Sequence, residues 1–351
     1  MILTILIFIA ILVILILIHE FGHFAVAKLS GVKVKEFAFG FPPRLFSVVK
    51  GGTRYSLNAI PLGGYVSLLG EDEAVKEKGS YYSAKLWQKI AIVGTGVVMN
   101  FLLGILVLAI GFTIGMTPLV SDPAALSGQK VSQVMIVEVV PESPAAKVGL
   151  SSGDILDGFS SPTDLQQFTK THAGQKVQLT IIKNNLKETR EVTLGQTDAP
   201  LGVGVVTITK VKQPFFTALK TATIEVGKSV GAVFAALWLI IRSVFTTGTA
   251  GEAGQAVVGP VGIFNFTSEA LKIGWIYILQ LLAILSINLA IINILPFPAL
   301  DGGKIFFLAL EGIFRKKVVR QEIENLIHTI GFIILILLIL AITFRDIIRL
   351  H

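Results

Sequence analysis

Long, almost unbroken runs of apolar residues dominate the hydrophobic pattern of this chain. Each run approaches or exceeds the roughly 20 residues that an α-helix needs to cross about 30 Å of hydrocarbon. Four of them predict membrane-spanning helices, at about Ile2–Leu29, Ile90–Ile114, Ile273–Leu295 and Leu326–Phe344.

Between the first two runs the pattern changes to an alternation of apolar and polar residues with many glycines. Thr53–Asn58 and Gly64–Leu69 predict two short strands, separated by Ile60-Pro61-Leu62-Gly63. We expect residues 53–69 to form a hairpin that dips towards the membrane.

A soluble domain is predicted at residues 119–211, where alternating runs are punctuated by turn signals. Val134–Val140, Val177–Lys183 and Glu191–Leu194 predict its strands. The chain is thereby divided into an N-terminal membrane part, the soluble domain, an amphipathic linker and a C-terminal membrane part. Their ranges are 1–118, 119–211, 212–272 and 273–351.

Composition supports a membrane protein and narrows the possible metal ligands. The 351 residues are 53% hydrophobic and 15% charged, whereas soluble domains carry about 25% charged residues. The net charge of +7 indicates basic cytoplasmic loops rather than a nucleic-acid partner. There is no cysteine, so any metal must be held by His, Asp or Glu.

Charge also predicts the orientation of the chain. Ten Lys and Arg residues lie between Lys28 and Lys89, which favours a cytoplasmic loop. A second basic loop, Lys304–Arg320, follows the third span and would also be cytoplasmic. Thr223–Phe245 is apolar but interrupted by charges, and a crossing there would move that second loop outside. We therefore expect it to lie on the outer leaflet as an amphipathic helix, with both termini and the soluble domain outside.

The first apolar run ends in His19-Glu20-Phe21-Gly22-His23, an HExxH sequence. His19 and His23 are four residues apart on a helix, so they can share one zinc ion. Glu20 lies beside them and can take a proton from a metal-bound water. The alternative is a chance match just beyond the lipid edge. Against it, ionisable groups at membrane depth are costly and functional by default.

A third ligand is needed for a tetrahedral catalytic zinc, and Asp301 is the candidate. It lies at the predicted cytoplasmic end of the third span, after Pro296 and Pro298 and before Gly302. A helix broken at membrane depth is tolerated where it lines a cavity. An ordinary Pro-Gly turn at a helix end is the alternative.

HEFGH at 19–23 together with Asn293-Ile294-Leu295-Pro296-Phe297-Pro298-Ala299-Leu300-Asp301-Gly302 resembles the site-2 protease family, most closely its bacterial RseP type. The resemblance implies a zinc site formed by His19, His23 and Asp301, with Glu20 as catalytic acid and base. It also implies that Asn293 holds the substrate backbone. We include Pro296, Pro298 and Gly302 of the same motif in the predicted substrate-binding set.

The soluble domain contains Ser143-Pro144-Ala145-Ala146-Lys147-Val148-Gly149-Leu150 followed by Gly153-Asp154, which resembles the core of bacterial PDZ domains. Only one copy is present, whereas the best-known RseP proteins carry two. The domain either binds peptide ends along a strand edge or acts as a steric lid. A further family stretch, Gly96-Val97-Val98-Met99-Asn100-Phe101, lacks the usual nearby proline.

The predicted fold is a polytopic α-helical membrane protein with about four spans, a membrane-associated hairpin and one α+β PDZ-like domain. The predicted function is an intramembrane zinc metalloendopeptidase of the inner (plasma) membrane, with its active site towards the cytoplasm. Its substrates would be single-span membrane proteins, and the resemblance to site-2 proteases implies anti-sigma-factor-like regulators or remnant signal peptides among them. The rival hypotheses are a non-proteolytic PDZ scaffold with a structural metal and a metal transporter.

Overall fold

The computed structural model describes residues 1–71, 75–183, 186–249, 251, 254 and 257–349, with the backbone alone at Leu62 and Arg349. The chain divides into two compact units. The first unit consists of Met1–Ile105, Ser229–Phe264 and Leu282–His351. The second unit consists of Leu106–Lys228 and Asn265–Leu281.

Five long helices carry the apolar runs of the described residues, and each is long and apolar enough to cross a membrane. They are α1 (Ile2–Leu29), α2 (Leu86–Ile114), α5 (Phe215–Thr247), α7 (Trp275–Ile294) and α9 (Gln321–Arg349). Three of them contain predicted spans, while α7 begins two residues after and ends one residue before the predicted Ile273–Leu295. α2 and α9 continue into polar flanks because helical hydrogen bonding does not stop at the last apolar residue. The remaining helix, α5, contains Thr223–Phe245, so the number of spans and its place on the outer leaflet stay predictions.

The predicted hairpin within residues 53–69 is wrong in its pairing. These residues form one strand, β2 (Thr53–Leu68), which pairs with β1 (Val34–Lys50). The turn between them is Gly51-Gly52, where both residues have positive φ, a conformation that glycine adopts without a steric penalty. The sequence hides β1 because Pro42 and Pro43 interrupt it, and prolines are tolerated only at strand edges or bulges.

Both strands bend, and their halves pair differently. The halves nearest the turn pair from Lys50–Thr53 to Arg44–Asn58. Val34–Phe39 pairs with Leu68–Gly64 on one side, and its residues Glu36–Phe39 pair with Arg54–Leu57 on the other. The register is shifted between these regions, as expected where prolines remove ladder donors. Val34 and Leu68 are buried with Ala27 of α1 and Ile92 of α2, so this part of the sheet packs against the helices.

The second unit contains a five-stranded antiparallel sheet in the order β6-β5-β4-β3-β7. Its strands are β3 (Gln129–Val139), β4 (Ile155–Leu156), β5 (Lys176–Lys183), β6 (Leu186–Thr193) and β7 (Val203–Lys212). Two short helices, α3 (Pro144–Lys147) and α4 (Pro162–Thr171), begin at Ser143 and Ser161, whose side chains accept N-cap hydrogen bonds. Apolar side chains of the strands and α4 form its core. Sequence analysis did not name β4 or β7 among the strands of this domain.

A buried carboxylate holds the segment that precedes the sheet of the second unit. Glu225 of α5 is fully buried, and both of its oxygens accept backbone N–H groups from Leu119, Val120 and Ser121. Charge-assisted bonds to several N–H groups satisfy a carboxylate that would otherwise be costly to bury. These bonds anchor the segment that leads into the sheet.

The last long helix is tied to a glycine turn in the first unit. Asp346 of α9 accepts hydrogen bonds from the N–H groups of Gly259 and Gly262, at 2.9 and 3.1 Å. These N–H groups open α6 (Pro260–Ile273), where helix N–H groups lack partners and favour negative charge. The short helix α8 (Asp301–Phe314) lies between α7 and α9 in the chain.

Candidate metal centre

The two histidines of HEFGH face each other on one side of α1. Their Nε2 atoms are 3.2 Å apart, as the four-residue spacing on a helix predicts. His19 is buried, and the side chain of His23 is 12% exposed. Helix geometry alone therefore brings both nitrogens to one point.

Asp301, the first residue of α8, completes a cluster with the two histidines. Its Oδ2 atom is 3.2 Å from His19 Nε2 and 3.3 Å from His23 Nε2. A tetrahedral zinc with bonds of about 2.0–2.1 Å to nitrogen and oxygen keeps neighbouring ligand atoms about 3.3 Å apart. The three residues thus fit a tetrahedral ion and leave a fourth position for water or substrate.

Helix α2 supports both histidines from behind, through two residues that are eight positions apart. The Nδ1–H of His23 donates to the carbonyl oxygen of Ile92, at 2.8 Å. The side-chain amide nitrogen of Asn100 lies 3.2 Å from His19 Nδ1. A half-turn of the amide exchanges its nitrogen and oxygen, so a metal-bound His19, with its proton on Nδ1, can donate to the Asn100 oxygen. Such partners fix the ring orientation and leave Nε2 free to bind metal.

Gly96 lies between these two supports, where α2 passes closest to the histidines. A Cβ atom at Gly96 would lie 2.3 Å from His23 Nε2 and 2.8 Å from His19 Cε1. On α1, a Cβ at Gly22 would lie 2.7 Å from the carbonyl oxygen of Thr95. Sequence analysis gave Gly96 and Asn100 no role. Their four-residue spacing, which matches that of the histidines, was the available signal.

A cavity of about 420 Å³ opens beside the cluster. Glu20 and Asn293 line it together with the histidines and Asp301, and β2 contributes Gly64 to its wall. A Cβ at Gly64 would lie 3.0 Å from Glu20 Cγ, so Glu20 and β2 are in close contact. The structure therefore brings the proposed acid–base residue, the three potential ligands and a strand edge to one cavity.

The other motif residues shape the turn that carries Asp301. Pro296, Pro298 and Gly302 are not among the residues lining the cavity. A Cβ at Gly302 would lie 2.2 Å from the carbonyl oxygens of Ile294 and Leu295, so only glycine fits beside the end of α7. A role of these three residues in substrate binding stays a prediction, while Asn293 does line the cavity.

An ion pair lies one helical turn after Asp301. Lys304 Nζ donates to Glu71 Oε1 at 2.7 Å, and the other carboxylate oxygen of Glu71 accepts from Leu68 N–H at 3.4 Å. The Glu71 carboxylate raises the pKa of Lys304 above its usual range, against the effect of burial. Lys304 therefore stays charged near neutral pH, and its bond to Glu71 ties α8 to the end of β2.

Comparison with known proteins identifies the family. Residues 7–338 match the model of peptidase family M50. A candidate zinc metalloprotease of Clostridium perfringens is 35% identical, over 95% of each chain. The zinc metalloprotease RasP of Bacillus licheniformis is 26% identical, over 99% of each chain. The chain belongs to peptidase family M50.

Membership of family M50 confirms the predicted resemblance to site-2 proteases and the predicted enzyme class, a zinc metalloprotease. Several long apolar helices make this M50 protease a membrane protein. The PDZ-like nature of residues 119–211 and the roles of the individual site residues stay predictions.

Proposed function

We propose that His19, His23 and Asp301 hold the catalytic zinc of an intramembrane endopeptidase. The observation that carries the proposal is the convergence of their ligand atoms at 3.2–3.3 Å. When bound there, zinc supplies a water of pKa about 7 and a positive charge for the carbonyl oxygen of the scissile peptide bond.

Glu20 is the proposed general base. It lies next to His19 in the chain and lines the same cavity as the three ligands. In this role its carboxylate accepts the proton of the attacking water and then donates that proton to the leaving amine. Asn293, on the last turn of α7, carries an amide that can donate to one backbone group of the substrate and accept from another.

The strand edge at Gly64–Leu68 is the proposed docking element for the substrate backbone. This segment pairs with Val34–Phe39, and Gly64, Tyr65 and Val66 line the cavity. A helical substrate must open its backbone hydrogen bonds before hydrolysis, and pairing with a strand edge replaces them. The alternative is a sheet that only packs on the helices.

The proposed substrates are single-span membrane proteins, including anti-sigma-factor-like regulators and remnant signal peptides. The proposed location is the inner (plasma) membrane, with the active site towards the cytoplasm. The basic loop between Lys28 and Lys89 supports this orientation. Since the chain has no cysteine, single cysteines at Lys50 and Lys187 can test it. Labelling of Lys50→Cys by an impermeant thiol reagent added outside intact cells would overturn the orientation.

Residues 119–211, which carry most of the sheet of the second unit, are proposed to be an extracytoplasmic PDZ-like domain. The strand β7 lies at one edge of its sheet, and the helix α4 contacts this strand. PDZ domains bind extended peptide ends beside such a strand, and a steric filter on substrate size is the alternative. Binding of C-terminal peptides to the full-length protein, measured by fluorescence anisotropy, separates the two roles.

The decisive experiment compares the wild type with Glu20→Gln on a tagged single-span reporter in cells. Because the amide keeps the shape of the side chain but cannot act as a base, we expect cleavage to fall about 100-fold or more, with zinc content retained. Lys35→Gln, an exposed substitution in β1, is the control. Equal processing by Glu20→Gln and the wild type would contradict the proposal and favour a scaffold with a structural metal.

A further inference from the structure

The turn between α7 and α8 holds Asp301 in an unusual backbone conformation. Ala299, two residues before Asp301, has φ 76°. Residues with a Cβ atom rarely adopt this left-handed region because Cβ approaches the carbonyl oxygen. Such a turn persists only where its surroundings hold it.

Helix α9 supplies that support at two points. The backbone N–H of Ala299 donates to His328 Nδ1, at 2.8 Å. One turn further along α9, a Cβ at Gly331 would lie 2.5 Å from Pro298 Cβ and 2.7 Å from its carbonyl oxygen. The same face of α9 thus binds Ala299 through the side chain of His328. It leaves room for the preceding residue, Pro298, because Gly331 has no side chain.

His328 also contacts the helix that follows Asp301. Its ring centroid is 5.7 Å from that of Phe307 on α8. The imidazole therefore touches the chain on both sides of Asp301, through a hydrogen bond before it and ring packing after it.

We propose that His328 is a positioning residue for the metal centre, which acts through the backbone of Ala299 to hold Asp301 Oδ2 at the two histidines. The inference rests on the proposed ligand role of Asp301. Partners beyond the ligands orient them, and their loss weakens metal binding or activity by about 10- to 100-fold. The ring must present Nδ1 as an acceptor, so its proton lies on Nε2.

Zinc affinity of the purified full-length protein in detergent, measured by competition with a chelator, tests this role. His328→Phe keeps a ring against Phe307 but removes the acceptor, and we expect its zinc affinity to fall about 10- to 100-fold. His328→Gln offers an amide oxygen as acceptor and should recover part of the loss. Thr329→Val changes the neighbouring exposed residue of α9 and should bind zinc like the wild type.

Thermal unfolding of the metal-free proteins separates positioning from general packing. We expect metal-free His328→Phe to unfold at the temperature of metal-free Thr329→Val. The inference is overturned if His328→Phe binds zinc as tightly as the wild type. It is also overturned if both His328 variants lose zinc affinity and metal-free stability together. Asp301→Ala is the reference, because undiminished zinc affinity there would overturn the ligand set itself and not only the role of His328.

Discussion

The histidine half and the aspartate half of the metal centre are built in different ways. His19 and His23 lie on a continuous helix, and a second helix, α2, backs them through two residues that are eight positions apart. Asp301 follows a turn after the end of α7, in which Ala299 has a positive φ. His328 of α9 holds that turn by accepting a hydrogen bond from the Ala299 N–H. Helical periodicity orients the first half, while the second depends on tertiary contacts. Substitutions in the two halves should therefore differ in severity.

The largest effect is expected where α2 meets the histidines. Gly96→Ala puts a Cβ 2.3 Å from His23 Nε2, so a potential ligand must move. The loss of unfolding free energy should reach or exceed the roughly 1–3 kcal/mol of ordinary overpacking. We expect the variant to lose both zinc binding and cleavage of the reporter. Gly94→Ala, whose Cβ meets only Ile305 Cδ1 at 3.8 Å, is the matched control. Equal zinc content in the two variants would show that α2 does not shape the site.

Removing a hydrogen-bond partner of His19 should weaken zinc binding at the histidine half without abolishing it. Asn100→Ala leaves His19 Nδ1 without its amide partner, and we expect zinc affinity to fall about 10- to 100-fold. Chelator competition measures the change. Val98→Ala, at an exposed position of the same helix, should leave the affinity unchanged. An Asn100→Ala protein that binds zinc like Val98→Ala would mean that helix geometry alone orients His19.

A smaller effect is expected from crowding the turn of the aspartate half. Gly331→Ala brings a Cβ within 2.7 Å of the Pro298 carbonyl oxygen, and a turn with this little regular structure can yield partly. We expect zinc affinity to fall by less than about 10-fold, below the usual effect of losing an outer-shell partner. Gly231→Ala, a helical glycine with open space around it, controls for helix propensity. A larger loss than in Gly96→Ala would reverse the ranking of the two halves.

The smallest effect should come from the ion pair beyond the ligands. Lys304 is 41% exposed and Glu71 18%, so solvent screening limits the loss in Lys304→Gln to about 1 kcal/mol of unfolding free energy or less. Because the pKa of Lys304 is raised in the folded state, this stability is present below about pH 10 and is lost only at higher pH. Denaturant unfolding at about pH 7 and 9 should give equal differences from wild type. A difference that disappears by pH 9 would contradict the assignment.

The histidine half and the aspartate half also differ in how well the sequence predicts them. The spacing of His19 and His23 was enough to place both on one face, because a helix converts spacing into position. Asp301 could be proposed only from its Pro-Gly surroundings and its place at the predicted cytoplasmic end of the third span, since no periodicity connects residues so far apart. The support from His328 could not be predicted, because it depends on how α9 packs against the turn.

The fold was predictable where apolar runs were long and uninterrupted. α1, α7 and α9 follow directly from their composition, whereas β1 was not predicted because Pro42 and Pro43 interrupt the pattern of a strand. The wrong hairpin within residues 53–69 followed from that omission. Without β1, the only partner available to one part of β2 was another part of the same segment. The position of α5 relative to the membrane depends on its balance of apolar and charged residues, which periodicity does not decide.

The separation of the proposed ligands in the chain sets the earliest time at which the proposed zinc site can be complete. About 280 residues lie between the histidines and Asp301, and α9 follows later still. At roughly 5–20 residues per second, synthesis of this interval takes about 15–55 s. During that time the growing chain carries Glu20 and the two histidines but not Asp301. If these residues hold the zinc as proposed, an interrupted or truncated chain lacks a complete site, and a newly made protease gains its activity only after Asp301 has been added to the chain.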